Sequence, residues 1–526
     1  MYEVSNTTKL KIIYTSDVHG NAMPILYGTN EQADLGLAKY ASIVKRVVRE
    51  NENVIVLDNG DLIQGTPLMT HYVKEHQGNI NPMIEIMNRI GIDASVIGNH
   101  EFNFGKKVLH DAITGSNFPW LSANLVNEDG EPYFGKPYII KTLSNGLKVA
   151  VVGVTTHYIP NWESPNHIEG IQFKDALTTL KQWVKLIQEE EQPDVLIASY
   201  HGGFERDLDT GEATESLTGE NQGYAMCQEI NGIDILLTGH QHRMLTGEIN
   251  GVLVAQPGNN GKMYGNIDIE LEQNGTNWTI VKKKAEVKPI NAQADEEIML
   301  YMAELESSTQ KWLDQPIGYI DGDMTISDPL QARLTKHPFI QFIQEVQMEA
   351  SGVDISVTAL LNNESRGFQS VVTMRDVVSN YMYPNTLTVL ELSGKDIKLA
   401  LEKTAEYFVL DDAGNITVNP TYIEPKPQHY NYDMWEGIHY TINITNPMGS
   451  RVEHISYHGS PLKEDGTYHV VLNNYRASGG GNFDMFKNKP VIKEIQKDTA
   501  ELIHAYFEKY KTIKAEAVPN FQVISS

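Results

Sequence analysis

Along the first half of the chain, short apolar runs rich in β-branched residues each end in a polar tip and give way to a segment with helical spacing. The runs are LKIIYTSDVHG (10–20), NVIVLDNGDLIQG (53–65), ASVIGNHEF (94–102), VAVVGVTTH (149–157), DVLIASYHGG (194–203), IDILLTGHQH (233–242) and VLVAQPGNNGK (252–262). Strands that alternate with helices predict a layered α/β domain. In these runs the chemically capable residues sit at the C-terminal tip, where open α/β sheets bind ligands.

The pattern changes at AQADEEIMLYMAELESSTQKWL (292–313), an acidic stretch with Met and Leu at helical spacing. It predicts a connecting helix over 293–315, between a first domain of residues 1–292 and a second of 316–526. In the second, helices at 337–350 and 394–408 and strands at 386–392, 438–445 and 466–473 predict an α+β domain.

Composition narrows the class. Of 526 residues, 42 are Lys or Arg and 68 are Asp or Glu, a formal charge of −26, and 41% are hydrophobic. That apolar fraction is globular rather than disordered, and no window approaches the roughly 20 apolar residues of a membrane-spanning helix. The negative field disfavours nucleic-acid duplexes and anionic membranes as partners, while a small anion can bind where local cations overrule it. A lone thiol, Cys227, forms no internal disulfide. The opening MYEVSNTTKL has neither a basic nor an apolar leader segment. The expectation is a cytoplasmic protein, or an exported one whose leader has been removed.

The tips supply Asp17 and His19, Asp61, Asn99 and His100, His201, and His240 and His242. A single His or Asp at a strand end is ordinarily a capping or turn residue. Their joint occurrence at successive strand ends points instead to a metal site, and Asp-x-His and His-x-His should each present two ligands to one side of a strand. Mixed nitrogen and oxygen donors suit Mn²⁺, Zn²⁺, Co²⁺ or Fe²⁺ better than Ca²⁺. Asp17, His19, Asp61, Asn99, His201, His240 and His242 exceed the needs of one tetrahedral ion, so two ions sharing a carboxylate are expected.

The blocks SDVHG, GDLIQG, GNHEF, SYHGG and GHQH, in this order, resemble the signature blocks of the calcineurin-like metallophosphoesterases. The two-domain layout resembles the bacterial 5′-nucleotidase and 2′,3′-cyclic-nucleotide phosphodiesterase family over nearly the whole chain. The resemblance implies a four-layer α/β/β/α domain joined by a helix to a C-terminal α+β domain. It assigns Asp17, His19, Asp61 and His242 to one metal and Asp61, Asn99, His201 and His240 to the other, with Asp61 bridging. Such a pair lowers the pKa of bound water, and the resulting hydroxide attacks phosphorus directly. His100, one residue beyond a ligand, is placed to stabilise equatorial charge or protonate the leaving group.

Three departures from the 5′-nucleotidase pattern resemble the cyclic phosphodiesterase and 3′-nucleotidase branch. Where many 5′-nucleotidases read GNHEFD, Asn103 stands here, and an amide gives the neighbouring His100 a hydrogen bond without charge. The blocks YMYPNTL, YNYDMWEGIHYTINIT and NNYRASGGGNF resemble those of that branch, which implies that Tyr383 and Tyr475 stack the base. A GGDG turn, whose acid bonds ribose hydroxyls, is replaced by GGGN, with Gly481 at the acid's position. Arg366, in LLNNESRGF, lies near the position of a phosphate-gripping Arg at looser spacing, and TGENQGY (218–224) also resembles that branch, whose members carry Gly-Glu-Asn here, or is simply a turn.

The expected activity is metal-dependent hydrolysis of 2′,3′-cyclic nucleotides to 3′-nucleotides, and of these to nucleosides and phosphate. Small nucleotides are the expected partners. A 5′-nucleotidase or nucleotide-sugar pyrophosphatase on the same metals is the enzymatic alternative. A non-catalytic nucleotide-binding protein is the alternative from another class.

Overall fold

The structure is a computed structural model of the chain and describes residues 7–75, 78–161, 163, 165–214, 217–275, 277–381, 385–424, 427–495 and 497–525. It divides into two compact units, Met1–Leu26 with Asn30–Thr309, and Tyr27–Thr29 with Gln310–Ser526.

In the first unit the apolar runs become the strands Thr7–Thr15, Val54–Asp58, Ala94–Val96, Lys148–Thr155, Val195–His201, Ile235–Thr238 and Val252–Pro257. They divide between two six-stranded sheets. The first sheet runs Asn277–Pro289, Met263–Asn274, Thr7–Thr15, Val54–Asp58, Ala94–Val96, Trp120–Leu121, and the second runs Met244–Ile249, Val252–Pro257, Ile235–Thr238, Val195–His201, Lys148–Thr155, Tyr138–Thr142. Parallel pairing within each sheet, for example Tyr14 opposite Leu57 and His201 opposite Thr155, delivers the polar tips to one edge.

Period-2 alternation explains why these strands read as continuous apolar runs. Leu10, Ile12, Val149, Val151, Val195, Ile197, Ile235 and Leu237 fill the space between the sheets. The intervening Ala150, Val152, Val154, Leu196 and Ala198 pack with Leu180, Val184 and Ile187 of helix Ala176–Glu190. On the other side, helices Leu37–Glu50 and Pro82–Ile90 bury Ile43, Val44, Ile84 and Met87. The result is the expected α/β/β/α layering.

In the second unit, a sheet ordered Asp433–Glu436, Ile355–Ala359, Thr467–Asn473, Leu387–Ser393, Val491–Ile495 carries helix Pro338–Ser351 through Ile340, Ile343 and Val346. His337 caps that helix by accepting from Phe339 N at 3.1 Å, Pro338 fills its first position, and Gly352 ends it in the left-handed region at φ 81°. A reciprocal Ser393–Asp396 capping box starts helix Gly394–Ala405. The Tyr27–Thr29 excursion is tied in by Arg375 Nη1, which donates to Tyr27 O at 2.6 Å, and by Ser379 Oγ, which donates to Gly28 O at 3.0 Å. Helix Glu296–Leu313 lies where the acidic stretch predicts one, and among the described residues no helix is long and apolar enough to cross a membrane.

Candidate metal centre

Apart from His201, which closes the strand Val195–His201, the donors are not strand residues. The first strand ends at Thr15, and Asp17 and His19 follow it with φ of 54° and 49°. Asp61, His240 and His242 share this left-handed conformation, at 55°, 65° and 58°. The same-side argument for residues one apart therefore does not apply, because it requires extended backbone. Asp17 and His19 do converge, but His240 and His242 part company and join different groups. Each left-handed non-glycine residue costs on the order of 1 kcal/mol or more, which surrounding contacts offset.

The structure brings Asp17, His19 and His242 together, and separately Asp61, His201 and His240, with the donor atoms of each group within 4.8 Å of one another. Asn99 joins the second group, its Oδ1 lying 3.1 Å from His201 Nε2 and 2.9 Å from His240 Nδ1. Asp61 Oδ2 lies 3.2 Å from His201 Nε2. Two glycines make room: a Cβ on Gly98 would stand 2.3 Å from Asp61 Oδ1, and one on Gly239 2.0 Å from Ser16 Oγ.

Outer contacts decide which nitrogen each imidazole turns inward. His201 Nδ1–H donates to Asn59 O at 2.7 Å, so Nε2 faces the group. His240 is reversed, with Nε2–H donating to Glu220 Oε1 at 3.0 Å and Nδ1 facing inward. His242 places Nδ1 against the Asn259 amide at 3.0 Å and Nε2 only 2.9 Å from His19 Nε2. Inward atoms that are all lone-pair donors repel one another, and a shared proton satisfies only two at a time. Divalent cations satisfy the whole set, so the residues present fit a metal in each group.

The electrostatics of the donor side chains express the same crowding. Burial favours neutral Asp17, but the His242 hydrogen bond and the His201 and His242 charges outweigh it and hold the carboxyl at about 2. Burial pushes the His19 imidazole down to about 3 against the opposing pull of Asp61. For His201 burial acts downward too, yet the Asp61 carboxylate beside it wins and raises it to about 10.

Sequence reasoning missed the residues that hold these tips. Glu101, fully buried, accepts from Asp61 N at 2.8 Å, Leu62 N at 2.6 Å, Ile63 N at 3.2 Å and Gly98 N at 2.7 Å, which clamps two donor loops together. Its motif, GNHEF, was the available signal. The turn TGENQGY does more than reverse the chain. Glu220 reaches His240, its carbonyl accepts from Thr156 Oγ1 at 2.7 Å, and Asn221 Oδ1 accepts from Gly203 N at 2.6 Å.

His100 stands beside the donors, its ring centroid 5.2 Å from that of His19. Its Nδ1 lies 2.6 Å from Asn103 Oδ1, the pairing expected from GNHEFN. In the second unit Tyr475 is 44% exposed, as a stacking surface requires, and its ring meets that of Tyr430 edge-on with centroids 6.3 Å apart. Tyr383 lies outside the described residues. Beneath Tyr475, buried Arg476 pairs with Asp433 at 2.9 Å and donates to Tyr430 O at 2.8 Å. Gly481 has φ 72°, and a Cβ there would stand 2.1 Å from Asn431 Oδ1, so no acid fits. Arg366 is exposed.

Two six-stranded sheets whose tips gather carboxylate, amide and imidazole donors define a phosphoesterase domain, and comparison with known proteins agrees. Residues 10–244 match the calcineurin-like phosphoesterases and residues 316–488 the 5′-nucleotidase C-terminal domain. The chain belongs to the calcineurin-like metallophosphoesterases that carry this C-terminal domain. It is 27% identical to the trifunctional nucleotide phosphoesterase protein YfkN of Bacillus subtilis over 98% of its own length, but spans only 39% of that protein. It is 26% identical to the 2′,3′-cyclic-nucleotide 2′-phosphodiesterase/3′-nucleotidase of Salmonella typhimurium, with 90% of this chain and 82% of that protein covered. A solved structure of a putative 5′-nucleotidase from Staphylococcus aureus, in complex with alpha-ketoglutarate, is 35% identical at a TM-score of 0.85, with 98% of this chain and 100% of that chain covered.

Proposed function

We propose that the protein hydrolyses 2′,3′-cyclic nucleotides to 3′-nucleotides, and these to nucleosides and phosphate, with Asp17, His19, Asp61 and His242 holding one divalent metal and Asp61, Asn99, His201 and His240 the other. When bound, such a pair supplies Lewis-acid polarisation of phosphoryl oxygens and ionised water near neutral pH. Around it, Glu101 keeps the Asp61 and Gly98 loops in register. His100, with Nδ1 committed to Asn103, turns Nε2 to the ester, where it stabilises equatorial charge and protonates the departing ribose oxygen. Tyr475 offers one face to the base without reading its edges, which favours broad base tolerance.

The observation that carries the phosphoesterase reading is the convergence of two donor groups beside His100. The choice of branch is supported by the amide at Asn103 and by the blocked position at Gly481, and by relatives that carry the cyclic phosphodiesterase name. A 5′-nucleotidase is the second reading, favoured by the name of the 35% identical structure. Turnover of 2′,3′-cyclic AMP, 3′-AMP and 5′-AMP, measured side by side with Mn²⁺, Zn²⁺, Co²⁺ and Mg²⁺, separates the two. A preference for 5′-AMP above tenfold overturns the choice made here.

A further inference from the structure

Asn103, standing where many 5′-nucleotidases carry a dyad carboxylate, gives His100 an uncharged partner in the sequence. The structure places a carboxylate one step further out. Asn103 Nδ2 donates to Glu163 Oε2 at 2.7 Å, and the Glu163 side chain is only 7% exposed. A carboxylate only accepts, so this contact fixes which end of the Asn103 amide faces Glu163. Oδ1 must then face His100, and His100 Nδ1 must be the donor across the 2.6 Å contact. On its far side Glu163 Oε1 accepts from His167 Nδ1 at 2.8 Å, with His167 about one-third exposed at 32%. Hydrogen bonds in such a chain polarise one another, so the carboxylate acts on the imidazole through the amide.

We infer that Glu163 is a positioning residue for His100, acting through Asn103 to hold Nδ1–H and the ring's orientation so that Nε2, which carries the proton to be given up when both nitrogens are protonated, addresses the departing oxygen. This rests on the role given to His100 above. The geometry is local to the turn His100–Phe102, where Asn103 N donates back to His100 O at 3.3 Å, and to a residue 60 positions away that no motif marks. A carboxylate at position 103 and the amide–carboxylate pair found here are thus two ways of placing negative charge behind the same imidazole.

The test uses the full chain loaded with metal, with bis-p-nitrophenyl phosphate, whose leaving group departs without a proton, and 3′-AMP, whose leaving group needs one. His100→Ala should lower kcat for 3′-AMP about 10²-fold, the scale of a lost general acid. If it does not, the reading of His100 fails. Glu163→Ala should lower kcat for 3′-AMP about tenfold with KM and nitrophenyl turnover nearly unchanged. The decisive arm is exchange. Asn103→Asp alone sets two carboxylates in contact and should impair turnover, Glu163→Gln alone should impair it mildly, and the double variant should regain most of the wild-type rate. Nitrogen-15 NMR of labelled histidines, with His100→Gln to identify the signal, should show Nδ1–H in the wild type and its loss in Glu163→Ala. If the double variant is no better than the product of the singles while His100→Ala is crippled, Glu163 only staples its loop and the inference falls.

Discussion

Glu220 Oε1 and His240 Nε2 lie 3.0 Å apart, and the His240 ring is turned opposite to that of His201, so that Nδ1 rather than Nε2 meets the second donor group. An imidazole whose outer nitrogen is held by a carboxylate is a better oriented and more basic ligand. Glu220→Ala should therefore weaken the second metal about 10- to 100-fold and leave the first unchanged, with Glu220→Gln intermediate. Equilibrium dialysis of the apo-protein against Mn²⁺ or Co²⁺ reads both affinities. Equal loss at the two groups would show that Glu220 merely supports the loop.

Metal uptake should release protons. In the metal-free protein Asp61 raises His201 to about 10, so at pH 7.5 this buried imidazole carries a proton that a cation must displace. The affinity of the second group should rise with pH between 6 and 9. Calorimetric titration in buffers of different ionisation enthalpy should count about one proton released there at pH 7.5. Asp61→Ala should abolish that release together with turnover.

Tyr475 predicts a loss in binding rather than in chemistry. Tyr475→Ala should raise KM by roughly tenfold, the equivalent of about 1–3 kcal/mol of stacking, with kcat little changed. Adenine and uracil substrates should suffer alike, which a pair of initial-rate series decides. A Tyr475→Phe variant should retain stacking.

Stability of the second unit should depend on a buried ion pair. The Lys336 side chain is fully buried, pairs with Glu436 and donates to Asn520 Oδ1 at 3.1 Å. Glu436→Ala strands the ammonium and should cost about 3–5 kcal/mol, read from urea denaturation. Burial lowers the Lys336 pKa against the pull of Glu436, so without that partner the folded state prefers neutral lysine more strongly. An amine depressed on folding gains stability as pH rises from its folded toward its unfolded pKa, so the deficit should shrink toward pH 10.

Cys227 should be inert. It is fully buried, and burial pushes its thiol up to about 12, so almost no thiolate exists at pH 8. Reaction with a disulfide reagent should be negligible in the native protein and stoichiometric in guanidinium. Rapid native labelling would reveal local opening around helix Gly223–Glu229.

The strands were legible because residues such as Val151 and Val152 are buried on opposite faces, and two buried faces leave a continuous apolar run in the text. The donors were legible because they stand immediately after those runs. Their geometry was not. The left-handed turns of His240 and His242 leave no mark in residue type, so the expectation that both face one side of a strand fails, although the family resemblance had assigned them to different metals. Glu163 escaped, and Glu220 was marked only by its block and not by its role, for a different reason. Each acts on a histidine 63 or 20 positions away, and an isolated glutamate in a loop looks like any solvated charge.

Five donors in glycine's region of conformational space also bias what evolution in the laboratory would return. Glycine at Asp17, His19, Asp61, His240 or His242 would relax the backbone while deleting a ligand. A library screened only for heat tolerance should accumulate such exchanges at the rim and yield robust, inert protein. Screens for durability in this scaffold need turnover as a second gate.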